Sequence, residues 1–273
     1  MRSNLIQRLL AALVACPLLL ALLYFGPAWG WAALIAVATA VGALELFGMT
    51  HPGDRVSRVV GLALTLATYG VLWRWTSEPR ALLALVFLLP LAGMLLTLAR
   101  LGDMQTAALR VLAATAGPLY LGGGMSALAL LRRDAGTDGA SFVVLALVLS
   151  WFSDTGAYFA GRFLGRHKLY EAVSPKKTVE GAVGGLAFAV LGALIGHFFY
   201  LRSLPALDAI VLALIAGGLG QAGDLGESLL KRSSGVKDSG GIIPGHGGIL
   251  DRVDALLVTS ALTYLYVIFF WHR

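Results

Sequence analysis

SLLKRSSGVKDSGGIIPGHGGILDRVD, residues 228–254, is a polar, glycine-rich stretch caught between two runs, 205–224 and 250–271, that are almost wholly apolar. Apolar runs of about 17 to 25 residues are long enough to cross a hydrocarbon core of about 30 Å as helices. Working outward from this stretch, the same pattern recurs at 5–25, 28–48, 56–75, 81–99, 111–131, 141–161 and 179–200. The fold predicted is all-α, a polytopic integral membrane helix bundle of about nine transmembrane helices.

Composition agrees. The 273 residues are 58% hydrophobic and 13% charged, with a mean hydropathy of +0.80, against about 25% charged residues in an ordinary soluble domain. A lone cysteine, Cys16, excludes an intrachain disulfide and any cysteine-cluster metal site, so stability rests on helix packing. The opening resembles a signal peptide, and LVAC ending at Cys16 resembles a lipoprotein box. The apolar run continues to Phe25, however, so a retained first helix is expected. A formal charge of +6 does not signal nucleic acid, because no long soluble segment is present to read a groove. It signals topology. With alternating sides, fourteen of the 21 Lys and Arg fall on the side of the N-terminus, six on the other, and Arg252 inside the last span. The positive-inside rule then puts the N-terminus and the two longest connections, 162–178 and 225–249, in the cytoplasm.

Chemistry is expected in the second half. Residues 1–140 read as N-terminal membrane scaffold helices. Residues 141–273 read as the catalytic membrane region with its cytoplasmic loops. One acid, Glu45, lies within a scaffold span. Intramembrane acids are functional candidates, but Glu45 sits near a helix end with no partner evident from the sequence, and Glu45→Gln is expected to retain activity. Glycines of the seventh and eighth apolar runs, such as Gly181, Gly185, Gly192 and Gly196, have the spacing that lets membrane helices approach closely.

Asp224 closes one apolar run and Asp251 opens the next, so an antiparallel helix pair would bring both carboxylates to one depth, where they could share a cation. Hard oxygen ligands suit Mg2+, which binds through one or two carboxylates together with substrate phosphates. Glu227 and Asp254 follow at three-residue spacing and can share those faces; Glu227 to Lys231 is equally a good structural ion pair. The intervening glycines, Gly247 and Gly248 among them, let backbone N–H groups turn toward an anion. Lys231, Arg232, Lys237 and Arg252 would neutralise phosphate charge. His246 is read as a phosphate-binding or structural histidine, with acid–base work as the alternative. A second cluster is SDTGAYFAGR, 153–162, followed by SPKKTVEG, 174–181. There Asp154, Tyr158 and Arg162 form one stripe on a helix. Ser174, Lys176 and Lys177 precede a helix N-terminus that favours an anion, although both lysines also fit contact with anionic lipid.

Taken together these residues resemble the phosphatidate cytidylyltransferases, or CDP-diacylglycerol synthases. The family pattern S-x-x-K-R-x4-K-D-x-G-x2-I-P-x-H-G-G-x2-D-R-x-D lies over Ser228 to Asp254 without gap or mismatch, and DTGAYFAGR and SPKKTVEG look like further family motifs. The resemblance implies transfer of CMP from CTP to phosphatidate, with Mg2+ required and K+ as a candidate second cation. It also implies a multi-pass protein of a prokaryotic inner membrane, with a homodimer as a candidate assembly. Metal held by Asp224 and Asp251 would bridge substrate phosphates, Lys231, Arg232, Lys237 and Arg252 would clamp them, and Asp154, Glu227, Asp238 and Asp254 would orient substrate. Two rivals are a transporter and an enzyme using CTP with another lipid phosphate. The first lacks the internal repeat that carriers show; the second would be separated by a panel of lipids.

Overall fold

Backbone in lipid must satisfy its own polar groups, so each apolar run folds as a helix. The computed structural model describes residues 2–241 and 247–271, with side chains from Leu13 onward except Val14. Its helices are α1 (Arg2–Phe25), α2 (Ala28–Thr50), α3 (Arg55–Trp75), α4 (Pro79–Ala99), α5 (Ala107–Gly117), α6 (Gly124–Asp134), α7 (Gly139–Phe163), α8 (Val179–Phe199), α9 (Ala206–Ser233) and α10 (Leu250–Tyr266). Among the described residues, eight helical segments are long and apolar enough to cross a membrane, and Ala15–Phe25 of α1 is a shorter apolar helix.

Three features depart from the simple reading. The expected span 111–131 is part of a longer helical run, 104–134, in which Pro118–Gly123 forms a π-helical turn between α5 and α6. Pro118 has no N–H to donate, and a wide turn at that point spares the ladder. Second, α9 does not end at Asp224 but continues to Ser233, so Asp224, Glu227 and Lys231 are all helical. Third, the connection before α8 contains an antiparallel hairpin, β1 (Lys168–Tyr170) and β2 (Ser174–Thr178), pairing Lys168 with Thr178 and Tyr170 with Ser174.

The core lies among α2, α6, α7 and α10, where Phe47, Leu131, Phe142, Leu145 and Leu149 are fully buried. Helices in lipid gain little from burying apolar surface against one another, so short polar links and small residues do more of the specifying. The Trp31 indole donates to the Leu128 carbonyl at 3.1 Å, Tyr69 to the Ala32 carbonyl at 2.7 Å, and Ser260 to the Gly124 carbonyl at 2.8 Å. The most extensive pairing joins α7 to α8. There Gly156 and Gly184 let the backbones meet: a Cβ on Gly156 would lie 2.6 Å from the Gly184 oxygen, and one on Gly184 would lie 2.2 Å from the Ala160 Cβ.

Asp54 ties three helices together at one end of the bundle. It caps α3 through the Ser57 N–H at 3.1 Å, and pairs with Arg100 after α4 at 3.3 Å and with Arg110 of α5 at 2.8 Å. His51 sits beside this knot, 1% exposed, with Nδ1 2.9 Å from the Thr50 hydroxyl. Burial, and then the nearby Arg110 guanidinium, lower its pKa from 6.5 to about 4. Its folded pKa lies below the unfolded value, so its contribution to stability is complete above about 6.5 and is lost as pH falls through about 4. Thermal unfolding in detergent is therefore expected to move to lower temperature across that window, and less so in His51→Gln. Equal pH slopes for the two proteins would remove His51 as the cause.

Candidate active site

α7, β2, α8 and α9 enclose a cavity of about 460 Å3 whose walls include Asp154, Arg162, Lys176, Lys177, Gln221 and Asp224. The α7 stripe read from the sequence is present, with the Arg162 guanidinium donating to the Tyr158 hydroxyl at 2.8 Å. Lys177 reaches from β2 to α9, its Nζ 2.6 Å from Asp224 Oδ2. The Thr178 hydroxyl accepts from the Gly181 N–H at 3.1 Å and caps α8, so the positive end of that helix opens on the same cavity. Gln221 crosses between helices, donating to the Ser153 hydroxyl at 3.2 Å and to the Ala182 carbonyl at 3.1 Å.

Behind this wall lies an acidic group. Asp254 on α10 is close enough to feel the charge of both Asp224 and Glu227 on α9, and Asp154 feels both Asp224 and Asp254. Glu227 is 2% exposed, and its carboxyl group is met by the Asp254 carboxyl group and the Lys231 ammonium, with no hydrogen bond of good geometry to either oxygen. The Lys231 Nζ lies 3.3 Å from Glu227 Oε2, an ion pair without the alignment of a hydrogen bond. Buried carboxyl groups packed against one another are the chemistry that a hard divalent cation can neutralise. As they stand, no three His, Cys, Asp or Glu side chains among the described residues already form a metal cage.

Asp251 has a different setting. Its Oδ1 receives the Lys231 ammonium at 2.6 Å, while Oδ2 accepts from the Ser239 N–H, the Ser239 hydroxyl and the Gly248 N–H, each at 2.9 Å. Thus Asp224 and Asp251, read as sharing one cation, are each held by their own lysine. Glu45, read as partnerless scaffold, also comes to this loop: its carboxyl accepts from the Ile249 N–H at 3.0 Å, the Leu250 N–H at 2.8 Å and the Ser239 hydroxyl at 3.3 Å. The sequence could not show these partners, because they lie across the chain from α2. Tyr120 adds a further link from the N-terminal half, donating to the Asp254 carbonyl at 3.3 Å.

The remaining candidates divide. Arg232 donates to the Val236 carbonyl at 3.1 Å and closes the end of α9. Lys237 and Asp238 are exposed at the start of the loop and Arg252 is exposed on α10. Ser174 is half-buried at the start of β2. Gly247 has φ +77°, a left-handed conformation that favours glycine. His246 lies outside the described residues. Sequence reasoning weighed Glu45 and set it aside as scaffold, and did not single out Ser239 or Gln221. A glutamate and a glutamine inside apolar helices were the available signal, whereas Ser239 occupies a variable position of the signature.

Residues 6–270 match a family model described as the cytidylyltransferase family. The phosphatidate cytidylyltransferase of Synechocystis sp. is 31% identical, over 96% of this chain and 96% of its own length. The protein of that name from Bacillus subtilis is 43% identical over 138 residues, 50% of this chain, and the one from Staphylococcus haemolyticus 42% over 132 residues, 48% of this chain. In both of these the chain spans about half, 51%, of the relative's length.

Proposed function

The chain belongs to the cytidylyltransferase family, and from that premise we propose that it transfers CMP from CTP to phosphatidate, giving CDP-diacylglycerol and pyrophosphate. The observation that carries this reading is the cavity in which cationic Lys176, Lys177 and Arg162 and the capped N-terminus of α8 face the acids Asp154 and Asp224. A phosphatidate oxygen attacks the α-phosphorus of CTP; the bond from that phosphorus to the bridging oxygen breaks, and pyrophosphate leaves with the electron pair. A phosphomonoester is largely ionised at neutral pH, so the attack needs no general base. What it needs is charge compensation and alignment.

Lys176 and Lys177, on a short strand, bring two positive charges to the phosphates. Lys177 is held to Asp224 at 2.6 Å, which fixes its direction before substrate arrives. Arg162, steadied by Tyr158, offers a planar fork to a second phosphate. The N–H groups at the start of α8 add partial positive charge without any side chain. A divalent cation, Mg2+ in this proposal with K+ as a second ion, would neutralise substrate phosphates when bound. Asp224 and Asp254 are the carboxylates this arrangement offers it, with Glu227 behind them. Asp251, already taken up by its donors, becomes a ligand only where Lys231 is displaced.

The apolar flanks of the cavity suit a lipid whose acyl chains stay in the bilayer while its headgroup enters. The excess of Lys and Arg on one side supports a site facing the cytoplasm of a bacterial inner membrane, and a homodimer completes the proposed assembly. Purified protein in mixed micelles should release pyrophosphate and form CDP-diacylglycerol only when CTP, phosphatidate and Mg2+ are all supplied. Turnover with a different lipid phosphate but none with phosphatidate would move the assignment to that lipid.

A further inference from the structure

We propose that Glu45 is a positioning residue for the signature loop: from α2 it fixes the start of α10 and, through Ser239, the seat of Asp251, without itself meeting substrate. The reaction it serves rests on the function proposed above; its hold on the loop does not. Glu45 is 6% exposed, and its bonds to Ser239, Ile249 and Leu250 span 194, 204 and 205 residues of sequence. The first N–H groups of a helix have no partner within it. Here two N–H groups at the start of α10 are met by one carboxyl group, Oε1 taking Ile249 and Oε2 taking Leu250.

Ser239 joins this bond set to the next. Its hydroxyl is 2.9 Å from Asp251 Oδ2 and 3.3 Å from Glu45 Oε2, and has a single proton to give. A shift in either acid therefore changes what the other receives, and Asp251 in turn holds Lys231.

The loop glycines support the same role. A Cβ on Gly240 would stand 2.8 Å from Glu45 Oε1, and one on Gly248 would stand 2.4 Å from Glu45 Oε2 and 2.3 Å from the Ser239 hydroxyl. Two glycines that the sequence suggested would turn backbone toward a substrate anion instead let backbone close over an internal carboxyl group. Glutamine cannot replace it, since its amide nitrogen would face a donor on one side or the other. Aspartate is shorter by one methylene.

The test uses the full-length protein in nanodiscs, as wild type, Glu45→Gln, Ser239→Ala and the double variant. Two quantities are read: hydrogen exchange along the chain, and kcat and KM for CTP and phosphatidate. Glu45→Gln, expected from the sequence alone to retain activity, should instead speed exchange in 247–255 while leaving α7 and α8 unchanged, and lower kcat on the order of 10-fold, as loss of an orienting partner does. Each KM should stay within about 2-fold, because no substrate contact is removed. The double variant should lose less than the product of the single losses, since both act through one bond set.

Unchanged exchange in 247–255, or faster exchange spread evenly over all helices, would overturn the proposal, whatever the activity. Local loosening in a protein whose wild type makes no CDP-diacylglycerol would support the hold on the loop and overturn the reaction.

Discussion

Asp251→Asn is expected to lower kcat for CMP transfer by about 100-fold or more, comparable to removing a preorganised charge-stabilising group. The carboxylate accepts on both oxygens, one from Lys231 and the other from three groups of the loop. Asparagine can serve only one side. If its oxygen keeps the loop donors, its amide faces the Lys231 ammonium, donor against donor. If it keeps Lys231, the N–H groups of Ser239 and Gly248 and the Ser239 hydroxyl lose their acceptor. Breaking a buried ion pair by removing one partner costs roughly 3 to 5 kcal/mol; here the lower end applies, because Glu227 remains 3.3 Å from Lys231. Initial-rate kinetics with an unfolding curve for the same preparation would check this. Wild-type kcat in a folded Asp251→Asn protein would mean that the loop works without its anchor.

Gly184→Leu is expected to damage the fold severely. A Cβ alone at this position would fall 2.2 Å from the Ala160 Cβ and 3.1 Å from the Gly156 oxygen, so α7 and α8 must part before any larger side chain fits. Overpacking a tight contact costs about 1 to 3 kcal/mol and occasionally more. For a chain of this size, 3 kcal/mol is roughly 10 °C in Tm. The cavity should suffer along with stability, because Asp154 and Arg162 come from α7, and Lys177 leads directly into α8. Gly226→Ala is the control: nothing lies within 4 Å of the added atom, and alanine is the better helix former by about 1 kcal/mol. If both substitutions shifted Tm alike, close backbone approach would not be what joins α7 to α8.

Hydropathy was enough to place most of the helices, since an apolar run in lipid has little choice but to be one. It misjudged α9, where Asp224, Glu227 and Lys231 lower the apolar signal while the backbone continues to Ser233; the Glu227 to Lys231 spacing was the clue that helix persists. The β1–β2 hairpin was invisible because residues 168–178 show no alternation of apolar and polar residues. The polar stripe of Asp154, Tyr158 and Arg162 was legible because its contacts lie within one helix. Glu45 was not, because nothing local in α2 reports partners that arrive from α10. Local periodicity thus revealed what each helix presents, and the meeting of helices distant in sequence decided which acids hold the loop.

The reach of Glu45 also bears on how the protein is made. α2 leaves the ribosome before α10, yet the Glu45 bonds that fix the start of α10 form only where the two meet. No nascent intermediate lacking α10 can hold a finished site, however well its earlier helices have inserted and packed. The proposed activity is accordingly expected only after α10 has joined the bundle, so that product would report the meeting of α2 with α10.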